Sequence, residues 1–120
     1  MTWLALLFGL LDGCSNTISA RVISPDRKLD AVVFERDCGA TTGFSTQVSV
    51  VRTGAQPSGS GNAFVADDNH HRAPAPAIGG PLVELRWAGP NRLIVRYDHR
   101  DRLFLNASAV AGAKIAYEPY

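Results

Sequence analysis

This sequence has neither an excess of one charge nor a basic stripe. Its 12 basic and 11 acidic side chains give a net charge of +1. The densest charge cluster, RYDHRDR at Arg96–Arg102, places two aspartates among its arginines, a pattern typical of a solvated turn. Proteins that bind nucleic acid usually carry a continuous basic surface that neutralises phosphates. We therefore expect no nucleic-acid partner.

Long hydrophobic runs are also missing, and the apolar run near the start is short. Residues 3–11 read WLALLFGLL, nine apolar or small residues. As a helix they would span about 14 Å, which is too short for a hydrocarbon core of roughly 30 Å. The hydrophobic region of a signal peptide needs only about 7–15 residues. The run therefore predicts either an export signal or a short buried element, although no Lys or Arg precedes it.

The run leads into Leu11-Asp12-Gly13-Cys14, which resembles a bacterial lipobox, where a lipoprotein precursor is cut before a lipidated cysteine. Leu11 and Gly13 fit this pattern, whereas Asp12 is atypical of it. The resemblance implies a signal-like segment at residues 1–14 and a membrane anchor on the Cys14 sulfur. It implies a lipoprotein of the bacterial cell envelope that faces the periplasm or the exterior. The alternative is a soluble secreted or periplasmic protein.

Cysteine is scarce, with only Cys14 and Cys38 in the chain. If Cys14 is lipidated, Cys38 is a lone thiol in the mature protein. If Cys14 is not lipidated, the two cysteines can form one disulfide in an oxidising compartment. The sequence leaves both alternatives open.

After Cys14, no segment keeps the 3.6-residue period of an amphipathic helix. Apolar residues instead alternate with polar ones, as in FSTQVSVV at 44–51, and LDAVVFER at 29–36 is apolar on both faces, which predicts a central strand. A hairpin in the tail is predicted with Ala111-Gly112 at its turn. The pattern predicts an all-β fold, a small antiparallel β-sandwich or meander of about seven short strands, in a single domain at residues 15–120.

The strongest local prediction is a hairpin in LVELRWAGPNRLIVRYD at 82–98. Pairing residues whose numbers sum to 180 sets Trp87 opposite Leu93 on the apolar face. On the other face the same register sets Glu84 against Arg96, a pair of opposite charges. A slip of one residue would turn the apolar set toward water, so the register is well specified.

Motifs for nucleophilic catalysis are absent. Cys38 lies in the glycine-bounded segment RDCGATTGFS at 36–45 and is the candidate nucleophile, with His70, His71 or His99 as its candidate base. No feature of the sequence places a histidine near Cys38. A chain reversal between two strands is therefore the favoured interpretation of this segment.

The same histidines, His70, His71 and His99, are candidate metal ligands together with the aspartates of DDNHH at 67–71 and DHRD at 98–101. Imidazole nitrogens and carboxylates suit zinc or a similar ion. However, the sequence has no H-x-x-x-H or C-x-x-C spacing. We expect a polar loop here, and no cofactor.

Segments of this sequence resemble two groups of known proteins. SPDRKLDAVVFERDCGATTGFSTQVSVVRTG looks like a blade of a TolB-type β-propeller, with Arg27 where glycine is usual in the turn, and WAGPNRLIVRY looks like the start of another blade. One and a half blades cannot close a propeller ring. The runs ERDCGATTGFSTQVSV, GNAFVAD and RWAGPNRLIVRY resemble a family of small bacterial envelope proteins that often carry lipoprotein signals. This resemblance implies a location and a fold, because no activity is assigned to that family.

We expect a non-catalytic binding or structural module at the envelope, with a protein partner there. Its contacts would come from long loops on a rigid sheet, at 37–44 and 67–80. The alternatives are a periplasmic inhibitor or immunity-type protein, and an enzyme that uses Cys38 with a histidine or a His/Asp metal site. The residues expected to form the binding surface are Asp37, Cys38, Thr41, Thr42, Phe44, Asp67, Asp68, His70 and His71.

Overall fold

Regular secondary structure in this protein consists of β-strands. A computed structural model describes residues 13–39 and 43–120, and within these ranges there is no helix, so none could span a bilayer. The hydrophobic run at 3–11 and the loop residues Thr41 and Thr42 lie outside the described residues. The strands are β1 (Ser15–Ile23), β2 (Leu29–Asp37), β3 (Phe44–Arg52), β4 (Phe64–Asp67), β5 (Val83–Gly89), β6 (Arg92–Tyr97), β7 (Arg102–Asn106), β8 (Ala109–Val110) and β9 (Ala113–Pro119).

The strands form two sheets. Sheet 1 has the order β1-β2-β3-β4-β7, and sheet 2 has the order β5-β6-β9-β8. The all-β prediction is confirmed. The prediction of an antiparallel domain is wrong for one pair, because β6 and β9 run parallel. The chain leaves sheet 2 after β6, contributes β7 to sheet 1, and returns to lay β9 beside β6 in the same direction.

The hairpin of β5 and β6 has the predicted register. Trp87 lies opposite Leu93, and Glu84 lies opposite Arg96, with 3.8 Å between the Arg96 Nη1 and Glu84 Oε2 atoms. The tail hairpin is also confirmed, because β8 pairs with β9 around Ala111-Gly112. Local alternation of apolar residues was sufficient to define both hairpins.

The core lies between the two sheets. Its buried residues come from both of them, and Phe64 of β4 meets the rings of Tyr97 and Tyr117 at centroid distances of 5.5 and 6.0 Å. The Tyr117 hydroxyl lies 2.7 Å from the carbonyl oxygen of Ala107, to which it donates. Burial raises the pKa of Tyr117 to about 12, and the nearby Tyr97 adds to this. This aromatic cluster fixes sheet 2 on sheet 1.

The opposite face of sheet 1 is covered as well. Val32 and Phe34 are both fully buried, although they point away from the core residues of β2, so the prediction of a two-sided central strand is confirmed. The β3–β4 loop is tied to this face at Asp30, whose carboxylate accepts hydrogen bonds from Arg21 (2.7 Å) and from the Thr53 hydroxyl (3.2 Å). Burial alone would raise the pKa of Asp30, but hydrogen bonds from the backbone N–H of Gly54, from Arg21 and from Thr53 lower it overall.

One side chain links the two sheets at the edge of the molecule. The indole N–H of Trp87 in sheet 2 donates to the carbonyl oxygen of Val22 in β1, at 2.8 Å. This bond ties β5 to β1, which is an edge strand of sheet 1.

Candidate functional site

Two long connections border one cleft at an end of sheet 1. They are the β2–β3 connection, which ends at Gly43, and the β4–β5 loop at 68–82. The cleft has a volume of about 570 Å³, which is in the range of small-ligand sites. Its lining residues are Gly43, Phe44, Asp67, Asp68, His70, His71, Pro76, Ala77, Gly79 and Arg102. Five residues of the expected binding surface thus surround one cavity: Phe44, Asp67, Asp68, His70 and His71.

Strand pairing explains why these residues meet. Thr46 of β3 lies opposite Ala66 of β4, and both side chains are buried. Alternate residues of a strand point to the same face of the sheet. Phe44 and Asp68 therefore lie at the end of sheet 1 on the same face as Thr46 and Ala66. Arg102 of β7 joins them because it pairs with the last residue of β4.

The floor of the cleft is a pair of opposite charges. The Arg102 guanidinium donates two hydrogen bonds to the carboxylate of Asp67, from Nη2 and from Nε. Burial alone would raise the pKa of Asp67, but the hydrogen bonds from Arg102 and from the backbone N–H of Asn69 lower it overall. Arg102 Nη1 also lies 3.3 Å from His70 Nε2. These contacts hold the carboxylate of Asp67 and the imidazole of His70 against one guanidinium.

One wall of the cleft is a left-handed turn. Three consecutive residues, Asn69, His70 and His71, have φ values of 54°, 57° and 67°. The left-handed region costs a residue with a side chain about 1–2 kcal/mol, although Asn and His tolerate it better than most. The turn is closed by a hydrogen bond from the Ala73 N–H to the Asp68 carbonyl oxygen at 2.9 Å. Asp68 also pairs with the exposed imidazole of His71, with 3.1 Å between Oδ2 and Nδ1.

The other end of the β4–β5 loop packs tightly on sheet 1. The Thr46 hydroxyl donates to the carbonyl oxygen of Pro81 in a buried hydrogen bond. A Cβ atom on Gly80 would overlap the backbone of Thr46, and one on Gly79 would overlap the carboxylate of Glu35. Because backbone atoms cannot move aside as a flexible side chain can, Gly80 is the residue that allows the loop to approach β3 closely.

A buried acid lies beside this end of the sheet. Asp101 is only 9% exposed, and neither of its carboxylate oxygens has a hydrogen-bond partner among the described residues. Burial raises the pKa of Asp101 to about 7, and the negative charges of Asp98, Asp67 and Asp68 add to this effect. The adjacent Asp98 differs, because hydrogen bonds from the Arg100 side chain and backbone lower its pKa to about 2. Asp101 is thus a group that can hold a proton near neutral pH.

The two cysteines are joined in a disulfide. The bond connects the residue before β1 to the residue after β2, and it closes the same end of sheet 1 that carries the cleft. In this state Cys38 has no thiol to act as a nucleophile. Its neighbour Asp37 ends β2 and accepts a hydrogen bond from the backbone N–H of Gly39 at 3.0 Å, which shapes the connection.

The three histidines do not share one location. His70 and His71 line the cleft, whereas His99 Nδ1 lies 2.5 Å from the carbonyl oxygen of Tyr120 and 3.8 Å from Asp98. Across residues 13–39 and 43–120, no three His, Cys, Asp or Glu side chains are arranged so that they could hold a metal ion.

The sequence patterns did not predict the positions of two residues in this region. Arg102 and Asp101 both belong to the charge cluster at 96–102, which was interpreted as a solvated turn. Arg102 forms the floor of the cleft, and Asp101 is buried. Leu103 packs against the core, and a residue two positions earlier in an extended chain points to the same face. This alternation is the sequence feature that could have predicted an inward-pointing Asp101.

No protein-family model matches the chain, and neither a curated protein nor a solved structure is significantly similar to it.

Proposed function

We propose that this chain is a non-catalytic binding module of the bacterial cell envelope, and that its ligand or protein partner docks in the cleft between Phe44 and the β4–β5 loop. The observation that carries this proposal is that the β2–β3 connection and the β4–β5 loop border one cavity. Its lining combines the apolar residues Phe44, Pro76 and Ala77 with the paired polar groups of Asp67, His70 and Arg102. A mixed lining of this kind suits recognition.

The pairing of the polar groups favours binding over catalysis. A nucleophile needs a free thiolate or hydroxyl beside a base, but the Cys38 sulfur is bonded to Cys14 and the Asp67 carboxylate is occupied by Arg102. An inhibitor or immunity-type protein would use the same surface against an enzyme partner. In that case the cleft is still the docking site.

Site-specific cross-linking tests the docking site. A photoreactive residue at position 71, whose side chain is 95% exposed at the rim, should capture a discrete envelope component in living bacteria. The matched control is position 86 on β5, whose side chain is 63% exposed and lies outside the cleft lining. Capture at both positions with the same pattern, or at neither, would contradict the proposal.

An envelope location is the second part of this proposal. It is supported by the hydrophobic run before Cys14 and by the disulfide, since disulfides persist mainly in oxidising compartments. Lipidation of Cys14 uses the same sulfur atom as the disulfide, so one molecule can carry only one of the two. The resemblance to small bacterial envelope proteins agrees with either form.

Intact mass measurement of the protein isolated from bacteria under non-reducing conditions separates these forms. A disulfide lowers the mass by two hydrogens, whereas lipidation adds acyl chains at Cys14 and leaves Cys38 open to alkylation. Either result agrees with export. Two free, unmodified thiols in the isolated protein would argue against it.

A further inference from the structure

A second cleft lies at the opposite end of sheet 1. It has a volume of about 750 Å³ and is lined by Arg27, Lys28, Leu29, Arg52, Thr53 and Ala111. Three of these six residues are cationic, and none is acidic. The chain as a whole is almost neutral, with a net charge of +1, so this concentration of positive charge is local.

Strand pairing brings these cations together. Leu29, the first residue of β2, lies opposite Arg52, the last residue of β3. The backbone N–H of Thr53 donates to the carbonyl oxygen of Lys28 at 3.1 Å, which extends this contact beyond the strands. The β1–β2 turn thus places Arg27 and Lys28 beside the end of β3.

The turn that carries two of the cations is rigid. Ser24 is buried, and its hydroxyl donates to Oδ1 of Asp26 at 2.7 Å. The same oxygen accepts a hydrogen bond from the backbone N–H of Lys28 at 3.2 Å. The nearest carboxylate is therefore engaged in holding the turn.

The three cations lack the carboxylate partners that several other arginines of the protein have. Arg21, Arg100 and Arg102 each form a close ion pair with an aspartate. In the described part of the chain, no ion pair involves Arg27, Lys28 or Arg52. Their charges remain available to an external anion.

The backbone of Arg27 gives an independent indication. Its φ is 62°, in the left-handed region that glycine adopts without strain. The chain therefore holds an arginine at a position where glycine would fit the backbone better. Strained residues of this kind cluster at functional sites, where the side chain is needed.

We propose that this basic cleft binds a phosphate group, either on a lipid headgroup or on a free phosphate ester. Guanidinium groups bind phosphate through two parallel hydrogen bonds, and the Lys28 ammonium adds a point charge. Leu29 and Ala111 provide an apolar surface beside the charges, which suits the organic part of such a ligand.

The test measures binding of inorganic phosphate by nuclear magnetic resonance, together with co-sedimentation on vesicles of phosphatidylglycerol and of phosphatidylcholine. Phosphate should shift the backbone amides of residues 26–29 and 52–53 in a saturable manner. Binding to phosphatidylglycerol vesicles as well assigns the site to a lipid headgroup. Phosphate binding without vesicle binding assigns it to a free ester. Absence of both interactions overturns the proposal.

Variants separate a specific site from general electrostatics. Arg27→Gly and Arg52→Gln should each weaken phosphate binding about tenfold, as expected for the loss of one charged contact. Arg27→Gly should at the same time leave the melting temperature unchanged or raise it, because glycine relieves the strained backbone. Arg86→Ala removes the same charge from β5, outside the cleft, and should leave binding unchanged. An equal loss in all three variants would overturn the proposal.

Discussion

The Asp101 carboxyl group occupies an unusual environment for an acid. Both of its oxygens are buried without a hydrogen-bond partner in the described part of the chain, and Asp98, Asp67 and Asp68 surround it with negative charge. Arg100 is the nearby cation, but its guanidinium is bound to Asp98. An ionised carboxylate in this position is poorly solvated and repelled, which favours the protonated form.

This environment predicts an unusual dependence of stability on pH. The pKa of Asp101 is about 7 in the folded protein and 3.8 in an unperturbed chain, so between these values the folded state keeps a proton that the unfolded state has lost. Its contribution to the free energy of unfolding is therefore fully present below pH 4 and is lost as the pH rises to about 7. The difference corresponds to about 4 kcal/mol at most, and solvent screening reduces it.

Asp101→Asn isolates this contribution. The variant should match the wild type below pH 4 and exceed it by about 1–3 kcal/mol at pH 8, because the amide carries no charge. Urea unfolding at the two pH values measures both quantities. Asp26→Asn is the control. Hydrogen bonds from Ser24 and from the Lys28 backbone hold the pKa of Asp26 below its usual value. Loss of this carboxylate should therefore destabilise the folded protein at pH 8. Equal effects of Asp101→Asn at both pH values would refute the assignment.

At the scale of single residues, the sequence indicated two contact loops, but it predicted neither the cleft between them nor the burial of Asp101. Phe44, His70 and His71 were placed in contact loops from composition alone, and they line one cavity. The segment RYDHRDR did not predict the burial of Asp101, because a solvated turn and a buried turn contain the same alternating charges. What differs is the packing of distant parts of the chain, among them the segment with Asp67 and Asp68.

Among the elements, the β4–β5 loop is irregular but closely packed at its C-terminal end. It contains no regular structure between Asp67 and Val83, yet Gly80 and Pro81 are buried and Thr46 donates to the Pro81 carbonyl. This contact positions the loop that forms one wall of the cleft. The composition of the loop predicted its irregularity correctly, whereas its contact with β3 had no signal in the local sequence.

Gly80→Ala tests this packing. The added methyl group would overlap the Thr46 backbone, so we expect a loss of about 1–3 kcal/mol of stability, as in overpacked cores, together with weaker capture at position 71. Gly89→Ala provides the control, because a Cβ at Gly89 meets no atom within 4 Å. Chemical denaturation of both variants measures the difference. Similar stabilities would show that the loop adjusts to the extra methyl without cost.

The molecule as a whole is closed at one end by the disulfide. Cys14 and Cys38 are 24 residues apart and enclose all of β1 and β2. A crosslink over a loop of this length stabilises a protein by about 3 kcal/mol, chiefly by restricting the unfolded chain.

Cys14→Ser, Cys38→Ser and the double variant should therefore lose similar amounts of stability, about 2–4 kcal/mol each. Thermal unfolding of the three purified proteins measures this, with the wild type in reducing agent as the reference for the open bond. If the double variant were as stable as the oxidised wild type, the bond would contribute nothing to the fold.

Pairing between distant strands marks the limit of what the sequence could predict at this scale. The β5–β6 hairpin was predicted with its register, because its partners are close in sequence and a slip would expose Trp87 and Leu93. The pairs β4–β7 and β6–β9 were not predicted. Their partners are far apart, and many registers satisfy the same alternation.

The place of β9 in sheet 2 has a consequence for how this protein is made. β9 lies between β6 and β8, so the strand that comes last among the nine described elements is an interior strand. A polypeptide emerging from the ribosome can assemble β1, β2 and β3 early, but Leu93 and Val95 have no partner on their second edge until residues 113–119 have been synthesised. Sheet 2 can therefore reach its full strand order only after β9 has inserted between β6 and β8.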